Sequence, residues 1–411
     1  MRNQTLNKSV IKKEITILLF CLFLVMIGYG LTLPILPFLV DKAADLGTLF
    51  GLSPSIHVGL MTGIFPLMQF ISAPFWGRWS DNIGRKKILM IGMGGYASSL
   101  FIFGWTDSLV FLYVLRVLGG IFSASVIPAV NSWITDVSST KNRGKLLAWT
   151  GGAASLGVIF GPALSSYFMY INWLNEYPWA ILKSNSYTLP FTIAGSFSLI
   201  AFWVVAFLLR DRPSELQTEK EEFKSHIFSN LNDGEILPIL FLALVVQGCL
   251  SVFESTFALH AQETMKYSVS EMGYIFMICG LGMSISQIGL TGFLIDRWGE
   301  KKLLPLGYFL LAVGLSLLMI VNTFSQIAIS VGVLAFGVAL ITPSLASLIS
   351  KISENKIGER MGVLTSISSL GLAMGSFLGA GLYSVNIHLP YFSFSMIALV
   401  TAVYSIKKYI I

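Results

Sequence analysis

Charged residues are scarce in this chain, and their scarcity excludes most classes of protein. Of the 411 residues only 12% are Asp, Glu, Lys or Arg, whereas soluble proteins carry about 25%. Hydrophobic residues make up 55% of the sequence, and the mean hydropathy is +0.75. So few charges do not cover the water-facing surfaces of several soluble domains. A soluble enzyme, a nucleic-acid-binding protein and a disordered scaffold are therefore excluded.

Cysteine and histidine are also rare. The three cysteines, Cys21, Cys249 and Cys279, all lie inside apolar runs, so neither a disulfide framework nor a metal site is predicted. The four histidines lie in loops or near the ends of apolar runs. The sequence contains no phosphate-binding loop, so direct use of ATP is excluded and no cofactor is predicted.

Apolar runs of about 20 residues, the length that an α-helix needs to cross a bilayer, recur along the whole chain. Twelve spans are predicted, at 15–40, 57–77, 86–106, 109–133, 146–170, 189–210, 236–260, 271–294, 302–322, 325–350, 361–384 and 389–407. One strongly polar stretch separates the sixth span from the seventh. The sequence therefore predicts an all-α membrane protein with an N-terminal six-helix bundle at 1–210, a linker at 211–235 and a C-terminal six-helix bundle at 236–411.

Basic residues predict how this protein lies in the membrane. If the spans alternate in direction, 23 of the 27 Lys and Arg residues fall on one face, and only Lys42, Lys183 and Lys266 fall on the other. Loops rich in Lys and Arg stay in the cytoplasm. We therefore expect both termini and the linker to be cytoplasmic. The pI of 9.1 then reflects membrane topology and not affinity for nucleic acid.

The two predicted halves repeat each other. The segment GRWSDNIGRKK at 77–87 returns as GFLIDRWGEKK at 292–302, displaced by 215 residues. Parallel six-helix halves, related by a pseudo-two-fold axis along the membrane normal and enclosing a central site, form one of the known transporter architectures. The repeat therefore favours a transporter over a channel or a receptor.

The repeated loop, G-x-x-x-D-x-x-G-R-K-K, resembles the signature loop of the major facilitator superfamily. Its second copy resembles the partner loop between spans 8 and 9 of that family. The resemblance implies twelve spans in two bundles and a latch that holds the cytoplasmic side in one of two alternating states. It assigns this latch to Gly77, Asp81, Gly84, Arg85 and Asp296.

Two further patterns resemble the twelve-span drug:proton antiporters of the same superfamily. Span 1 carries IGYGLTLPILP, which is similar to the first-span pattern of those proteins. Span 5 carries GVIFGP, with Gly157, Gly161 and Pro162, and resembles their antiporter motif, although Ala148 and Ser165–Ser166 replace its terminal glycines. Small residues four apart also fit ordinary close packing of two helices.

Two charged residues, Arg116 and Glu254, are predicted inside the membrane. Arg116 lies in span 4, and Glu254 in span 7 is the one acid outside loops, tails and span ends. Such residues are functional candidates by default. The stretch around Glu254 resembles that of NorA-type multidrug pumps, which implies a role in proton coupling shared with the span-4 arginine. Those pumps have a further acid in span 10, where Ala339 stands here. Alternatively, Arg116 snorkels outward or braces carbonyls of adjacent helices, and Glu254 is a carboxylate at the rim that water reaches.

Aromatic side chains near these charges are candidates for a substrate cavity, and we select Tyr29, Phe253 and Phe257. The sequence as a whole predicts a monomeric bacterial cell-membrane protein that exports amphipathic drug-like compounds in exchange for protons. The alternatives are a transporter of one defined solute, such as tetracycline, a sugar or a lipid, and a membrane sensor that transports nothing. No nucleophile–base pair is recognisable, so an enzyme is not expected.

Overall fold

The computed structural model describes residues 8–44, 51–138, 140–170, 187–210, 236–352 and 357–409. The predicted linker at 211–235 lies outside this part of the chain. The α-helices are α1 Lys8–Thr32, α2 Leu36–Ala44, α3 Pro54–Ile83, α4 Arg85–Trp105, α5 Leu109–Ser123, α6 Val126–Val137, α7 Thr140–Tyr170, α8 Thr188–Leu208, α9 Ile236–Glu263, α10 Val269–Ile285, α11 Gly292–Trp298, α12 Glu300–Leu317, α13 Phe324–Ile352, α14 Ile357–Val385 and α15 Leu389–Tyr409.

The helices have the length and the composition of membrane spans. Within the described ranges, nine helical segments are long and apolar enough to cross a bilayer, and α10 is a shorter apolar helix. Helices suit this environment because they satisfy their own backbone N–H and C=O groups where no water is available. The prediction of an all-α membrane protein is confirmed, and the count of twelve spans stays a prediction.

The first predicted span is broken where its prolines lie. Helix α1 ends at Thr32 and α2 begins at Leu36. Pro34 has no N–H to donate, and its ring crowds the carbonyl one turn earlier, so it favours a break in the helix at this point. Pro37 falls in the first turn of α2, where a missing N–H costs little. Tyr29 therefore lies one turn before a bend.

Corresponding turns join α3 to α4 and α11 to α12. Gly84 has φ 104° and ψ 144°, and Gly299 has φ 78° and ψ 154°. Positive φ of this kind is open to glycine and strained for other residues. The 215-residue repeat in the sequence is therefore also a repeat of backbone conformation.

Two large clusters of buried apolar side chains form the interior. One is built almost entirely from α1 to α8, and the other from α9 to α15. Each contains a buried cysteine in its first long helix whose thiol donates to a carbonyl on its last. Cys21 Sγ lies 3.7 Å from Ala201 O, and Cys249 Sγ lies 3.7 Å from Phe394 O.

The halves contact each other mainly through α3 with α14 and α7 with α10. We call the end of the bundle that carries Arg85, Lys301, Lys302 and Lys351 the basic face. Near the opposite face the halves are tightly packed, since Gly59 and Gly63 of α3 leave room only for α14. Asp41 Oδ2 also accepts a hydrogen bond from Gln262 Nε2 there, at 2.5 Å.

Towards the basic face these helices lose their buried sides. Every residue at positions 366–370 of α14 and 67–70 of α3 is half-buried, whichever side of the helix it occupies. Gly77, Gly151 and Gly362 have no atom within 4 Å of the position that a Cβ would take. The two halves are therefore closed at the face opposite the basic one and parted towards the basic face.

Candidate functional site

Glu254 lies deep in α9 and is buried. It lies nine positions before the end of the helix at Glu263, which is about 13 Å at 1.5 Å per residue. Its exposure is 8%. The hydroxyls of Ser255 and Thr256 donate to carbonyls of their own helix, at 2.8 Å and 2.7 Å. A carboxylate has no hydrogen to donate in this way, so Glu254 needs a donor from another helix.

The donor comes from the other half of the molecule. Tyr29 of α1 directs its hydroxyl at Glu254 Oε2, with 3.5 Å between the two oxygens. This distance is long for an O–H···O hydrogen bond. Among the described residues Tyr29 is the hydrogen-bond donor to this carboxylate, and the pair links the half built from α1 to α8 with the half built from α9 to α15.

Arg116 of α5 is the other buried charge of the candidate site, with an exposure of 4%. Its guanidinium carbon lies 5.3 Å from the ring centroid of Phe65 and 5.9 Å from that of Phe103. Aromatic faces attract a cation, more strongly when it is desolvated. Its Nε and Nη2 atoms have no hydrogen-bond partner within the described part of the chain.

An aromatic bridge separates the two charges. The rings of Tyr29 and Phe65 are 5.2 Å apart, and Phe65 also lies against Arg116. The cation and the carboxylate are therefore in different halves, with Phe65 and Tyr29 between them.

The other two aromatic candidates lie in the core beside Glu254. Phe253 and Phe257 stack at 5.3 Å, and both pack against Phe276 of α10. Both are fully buried. Of the three residues proposed for a substrate cavity, Tyr29 is the one whose contact with Glu254 is seen, and the two phenylalanines belong to the apolar core of the second half.

The latch residues lie at the basic face, and Arg85 has defined partners there. Its Nε donates to Asp136 Oδ2 and its Nη1 to Ser80 Oγ, both at 3.2 Å. Asp81 belongs to the last turn of α3, but its side chain lies outside the described part of the structure. Asp296 is an exposed residue of α11.

Sequence reasoning missed an ion pair at the corresponding position of the second half. Lys351 donates to Glu300 Oε1, and Ser347 Oγ donates to the same oxygen at 2.6 Å. Burial by itself raises the pKa of the Glu300 carboxyl, but the hydrogen bonds from Lys351 and Ser347 outweigh burial and hold that pKa below its usual value. The sequence repeat could have indicated this ion pair, because Glu300 and Lys351 follow Arg85 and Asp136 by the same 215 residues that separate the two loops.

The span-5 motif forms a helix contact inside the first half. An added Cβ at Gly157 would lie 2.5 Å from Phe23 O of α1, and one at Gly161 would collide with the backbone of Leu31. Pro162 is buried in the same helix, α7. The geometry is that of close helix packing, which small residues permit. Across the residues described, no group of three or more His, Cys, Asp or Glu side chains is arranged to hold a metal ion.

The sequence matches a family model over nearly its whole length. The model is that of the Major Facilitator Superfamily, and it matches residues 18–291 and 284–409. The chain belongs to the Major Facilitator Superfamily. It is therefore a multi-pass membrane protein that moves small molecules across a lipid bilayer, and it is a transporter and not an enzyme.

Relatives named for drug resistance match more than nine tenths of the chain. It is 28% identical over 392 residues to multidrug resistance protein 1 of Bacillus subtilis (strain 168), a match that covers 93% of each protein. It is 25% identical over 378 residues to the quinolone resistance protein NorA of Staphylococcus aureus (strain COL), covering 92% of each. The predicted resemblance to NorA-type proteins is confirmed at this level.

A solved superfamily structure has the same fold. It is a bacterial homologue of the human lysosomal transporter Spinster, described as inward-facing and occupied. The TM-score is 0.75, the sequence identity is 15%, and the match covers 98% of each chain. The arrangement of helices seen here is therefore the superfamily arrangement.

Proposed function

We propose that this protein is a proton-coupled antiporter that exports amphipathic, cationic or zwitterionic drug-like compounds by alternating access. The observation that carries the proposal is Glu254. It is a buried carboxylate in the middle of a membrane helix, and its hydrogen-bond donor, Tyr29, belongs to the other half of the molecule. Similarity to proteins named for multidrug and quinolone resistance supports the choice of substrate class.

The proposal includes an orientation. The basic face is cytoplasmic, because loops rich in Lys and Arg are retained on that side, and both termini lie there. The protein is a monomer in the bacterial cell membrane. In this orientation the parted ends of α3 and α14 open to the cytoplasm, and the packed ends around Gly59 close the outer side.

Glu254 exchanges a proton for substrate in this mechanism. When the site faces outwards, the buried carboxylate takes up a proton, since burial favours its neutral form. When the site faces the cytoplasm, an entering cation stabilises the carboxylate, and the proton leaves to the cytoplasm. Arg116, in the other half, biases the same equilibrium through its positive charge. Gly77, Asp81, Gly84, Arg85 and Asp296 act at the basic face as the latch that holds one of the two states.

Transport into proteoliposomes with an acidic lumen tests this mechanism. Ethidium carries a permanent positive charge, so the acidic lumen does not trap it as it traps a weak base, and its accumulation reports exchange of lumenal protons for external dye. We expect wild-type accumulation that a protonophore abolishes. Glu254→Gln, which mimics the protonated acid, should reduce accumulation to that of protein-free liposomes.

Glu263→Gln is the matched control for this experiment. It makes the same chemical change on the same helix, at an exposed residue that accepts a hydrogen bond from Tyr383 at 2.9 Å. We expect it to transport at the wild-type rate. Wild-type accumulation by Glu254→Gln would contradict the coupling role and leave Glu254 as a structural carboxylate.

A transporter of a single solute is the alternative on the same fold. It differs in the range of its substrates, and this range is measured in the same liposomes with a panel of chemically unrelated cations and zwitterions. Transport of several unrelated compounds supports multidrug export, and transport of one chemical class supports the alternative.

A further inference from the structure

A small cavity lies beside Arg116, inside the first half of the molecule. The space in it is about 10 Å³, close to the minimum that one water molecule needs. Ten residues line it, namely Thr32, Phe65, Tyr96, Ser99, Leu100, Phe103, Leu115, Arg116, Gly119 and Phe191. The cavity therefore has room for about one water-sized group and not for the body of a ligand.

The cavity contains hydrogen-bond donors without acceptors, and no acidic side chain lines it. Two of its hydroxyls already donate within their own helices, Thr32 to Gly28 O and Ser99 to Gly95 O, both at 2.9 Å. Arg116 contributes two N–H groups, on Nε and Nη2, that meet no acceptor in the described structure. None of the ten lining residues, all of which are described, is Asp or Glu. A buried donor without an acceptor is costly, so the site favours a ligand that supplies one.

The shape of the free donors selects the kind of acceptor. Nε and Nη2 lie on one edge of the guanidinium plane, and their N–H bonds point the same way. This edge forms two parallel hydrogen bonds with the two oxygens of a carboxylate. Phe65 and Phe103 attract the positive charge through their ring faces, but they leave the donors in the guanidinium plane unmet.

We propose that Arg116 binds the carboxylate of the transported compound, so that the preferred substrates are zwitterions. Their carboxylate lies on Arg116 in the first half, and their cationic end lies at Glu254 in the second. Tyr29 and Phe65, which lie between the two charges, contact the apolar middle of the molecule. This inference rests on the proposed function and adds to it the chemical class of the substrate.

A matched pair of fluorescent probes tests the proposal. Tetramethylrhodamine carries a cationic ring system and a free carboxylate, and its methyl ester carries the same cation without the carboxylate. Binding is measured by fluorescence anisotropy with purified protein in lipid nanodiscs, at equal pH on both sides and therefore without a driving gradient. Because partition into lipid is the same for every variant, the informative quantity is the change in each Kd between variant and wild type.

Arg116→Lys is the decisive variant, since it keeps the positive charge and removes the guanidinium edge that forms two parallel hydrogen bonds. We expect it to raise the Kd of the acid at least about tenfold more than that of the ester, the effect of losing a pair of charge-assisted hydrogen bonds. Arg116→Gln should give the same selective loss. Glu254→Gln should instead weaken both probes by similar factors, because both carry the cation.

Two results would overturn the carboxylate site. One is an equal change in the Kd of acid and ester in both folded Arg116 variants, and the other is a larger loss for the ester. Elution volume and melting temperature establish that the variants are folded, and if Arg116→Gln does not fold, Arg116→Lys alone decides. If the wild-type protein accumulates ethidium when driven by the pH gradient, but the Arg116 variants change the Kd of acid and ester equally, the carboxylate site is disproved and antiport stands. Selective loss of the acid in a protein without proton-driven transport supports the carboxylate site and contradicts antiport.

Discussion

The ion pairs at the basic face differ in sign between the two halves of the molecule. In the first half Arg85, at the start of α4, pairs with Asp136, at the end of α6. In the second half, 215 residues later, Glu300 at the start of α12 pairs with Lys351 at the end of α13. Each pair ties the beginning of one helix to the end of another. The repeat therefore preserves an electrostatic attraction between these helix ends, while the positions of the acidic and basic partners are exchanged.

Helix dipoles make the two versions unequal. The start of a helix favours a negative charge and its end favours a positive one. Glu300 and Lys351 satisfy both preferences, whereas Arg85 and Asp136 oppose both. The second half therefore holds the more stable version, and the first half keeps an unfavourable arrangement in the loop that we propose as the latch. This is expected where a contact must break during each transport cycle.

The largest effect is expected at two glycines that let helices pack closely, one inside each half. Gly161 of α7 lies against the backbone of α1, and Gly375 of α14 lies against the backbone of α9. Gly161→Ala and Gly375→Ala should each lower the free energy of unfolding by about 3 kcal/mol, because an added methyl group forces two helix backbones apart. Thermal unfolding of the purified protein measures this loss.

The controls for the glycine variants lie in the same two helices. Gly151→Ala in α7 and Gly381→Ala in α14 place the methyl group where no atom lies within 4 Å. They should leave the melting temperature unchanged or raise it, since alanine favours a helix. Equal losses at all four positions would mean that close packing is not the cause.

The next largest effect is expected from reversing the charges of each ion pair, which directly tests the difference between the two halves. Arg85→Glu with Asp136→Lys converts the first pair to the order of the second and should raise the free energy of unfolding by about 1 kcal/mol. Glu300→Lys with Lys351→Glu should lower it by about the same amount. The stabilised first-half double variant should transport more slowly, because its latch opens less readily. Opposite shifts in melting temperature check this expectation, and shifts of equal sign would contradict it.

The smallest effect concerns pH and the Glu300 pair alone. The folded-state pKa of the Glu300 carboxyl lies below the ordinary value of 4.5, so the contribution of this pair to the free energy of unfolding is present at neutral pH. That contribution is lost as pH falls below 4.5 towards the folded-state pKa. Glu300→Gln should therefore be less stable than wild type at pH 7, and the difference should shrink as the pH falls from 4.5 towards the folded-state pKa. A difference in melting temperature that does not change with pH would indicate that packing, not charge, stabilises this site.

Much of the fold was accessible from the sequence because membrane helices have few alternatives. Apolar length predicts them, and Pro34 marks the interruption of span 1. The repeated loop sequence is matched by equivalent turns, which Gly84 and Gly299 form with similar backbone angles. Local chemistry and a simple offset are sufficient for these features.

The site was less accessible, since it joins residues that are far apart in the chain. Tyr29 and Glu254 are separated by 225 positions, and nothing local to either residue indicates that they meet. The depth of Glu254 depended on where α9 ends, and a helix that continues to Glu263 buries it further than an end at His260 implied. The cavity beside Arg116 depends on which hydroxyls donate to their own helices, which composition does not reveal. A six-residue π-helical segment, Ser286–Thr291, likewise gave no sequence signal.

The burial of all three cysteines makes the native chain suitable for distance measurements in its working cycle. Thiol reagents need access to a thiolate, and Cys21, Cys249 and Cys279 are all enclosed. Spin labels or donor and acceptor dyes can therefore be attached to cysteines introduced at the basic ends of α3 and α14, with little background from the natural sequence. The distance distribution between such labels, recorded with and without a cationic or zwitterionic compound, would report how the two halves move.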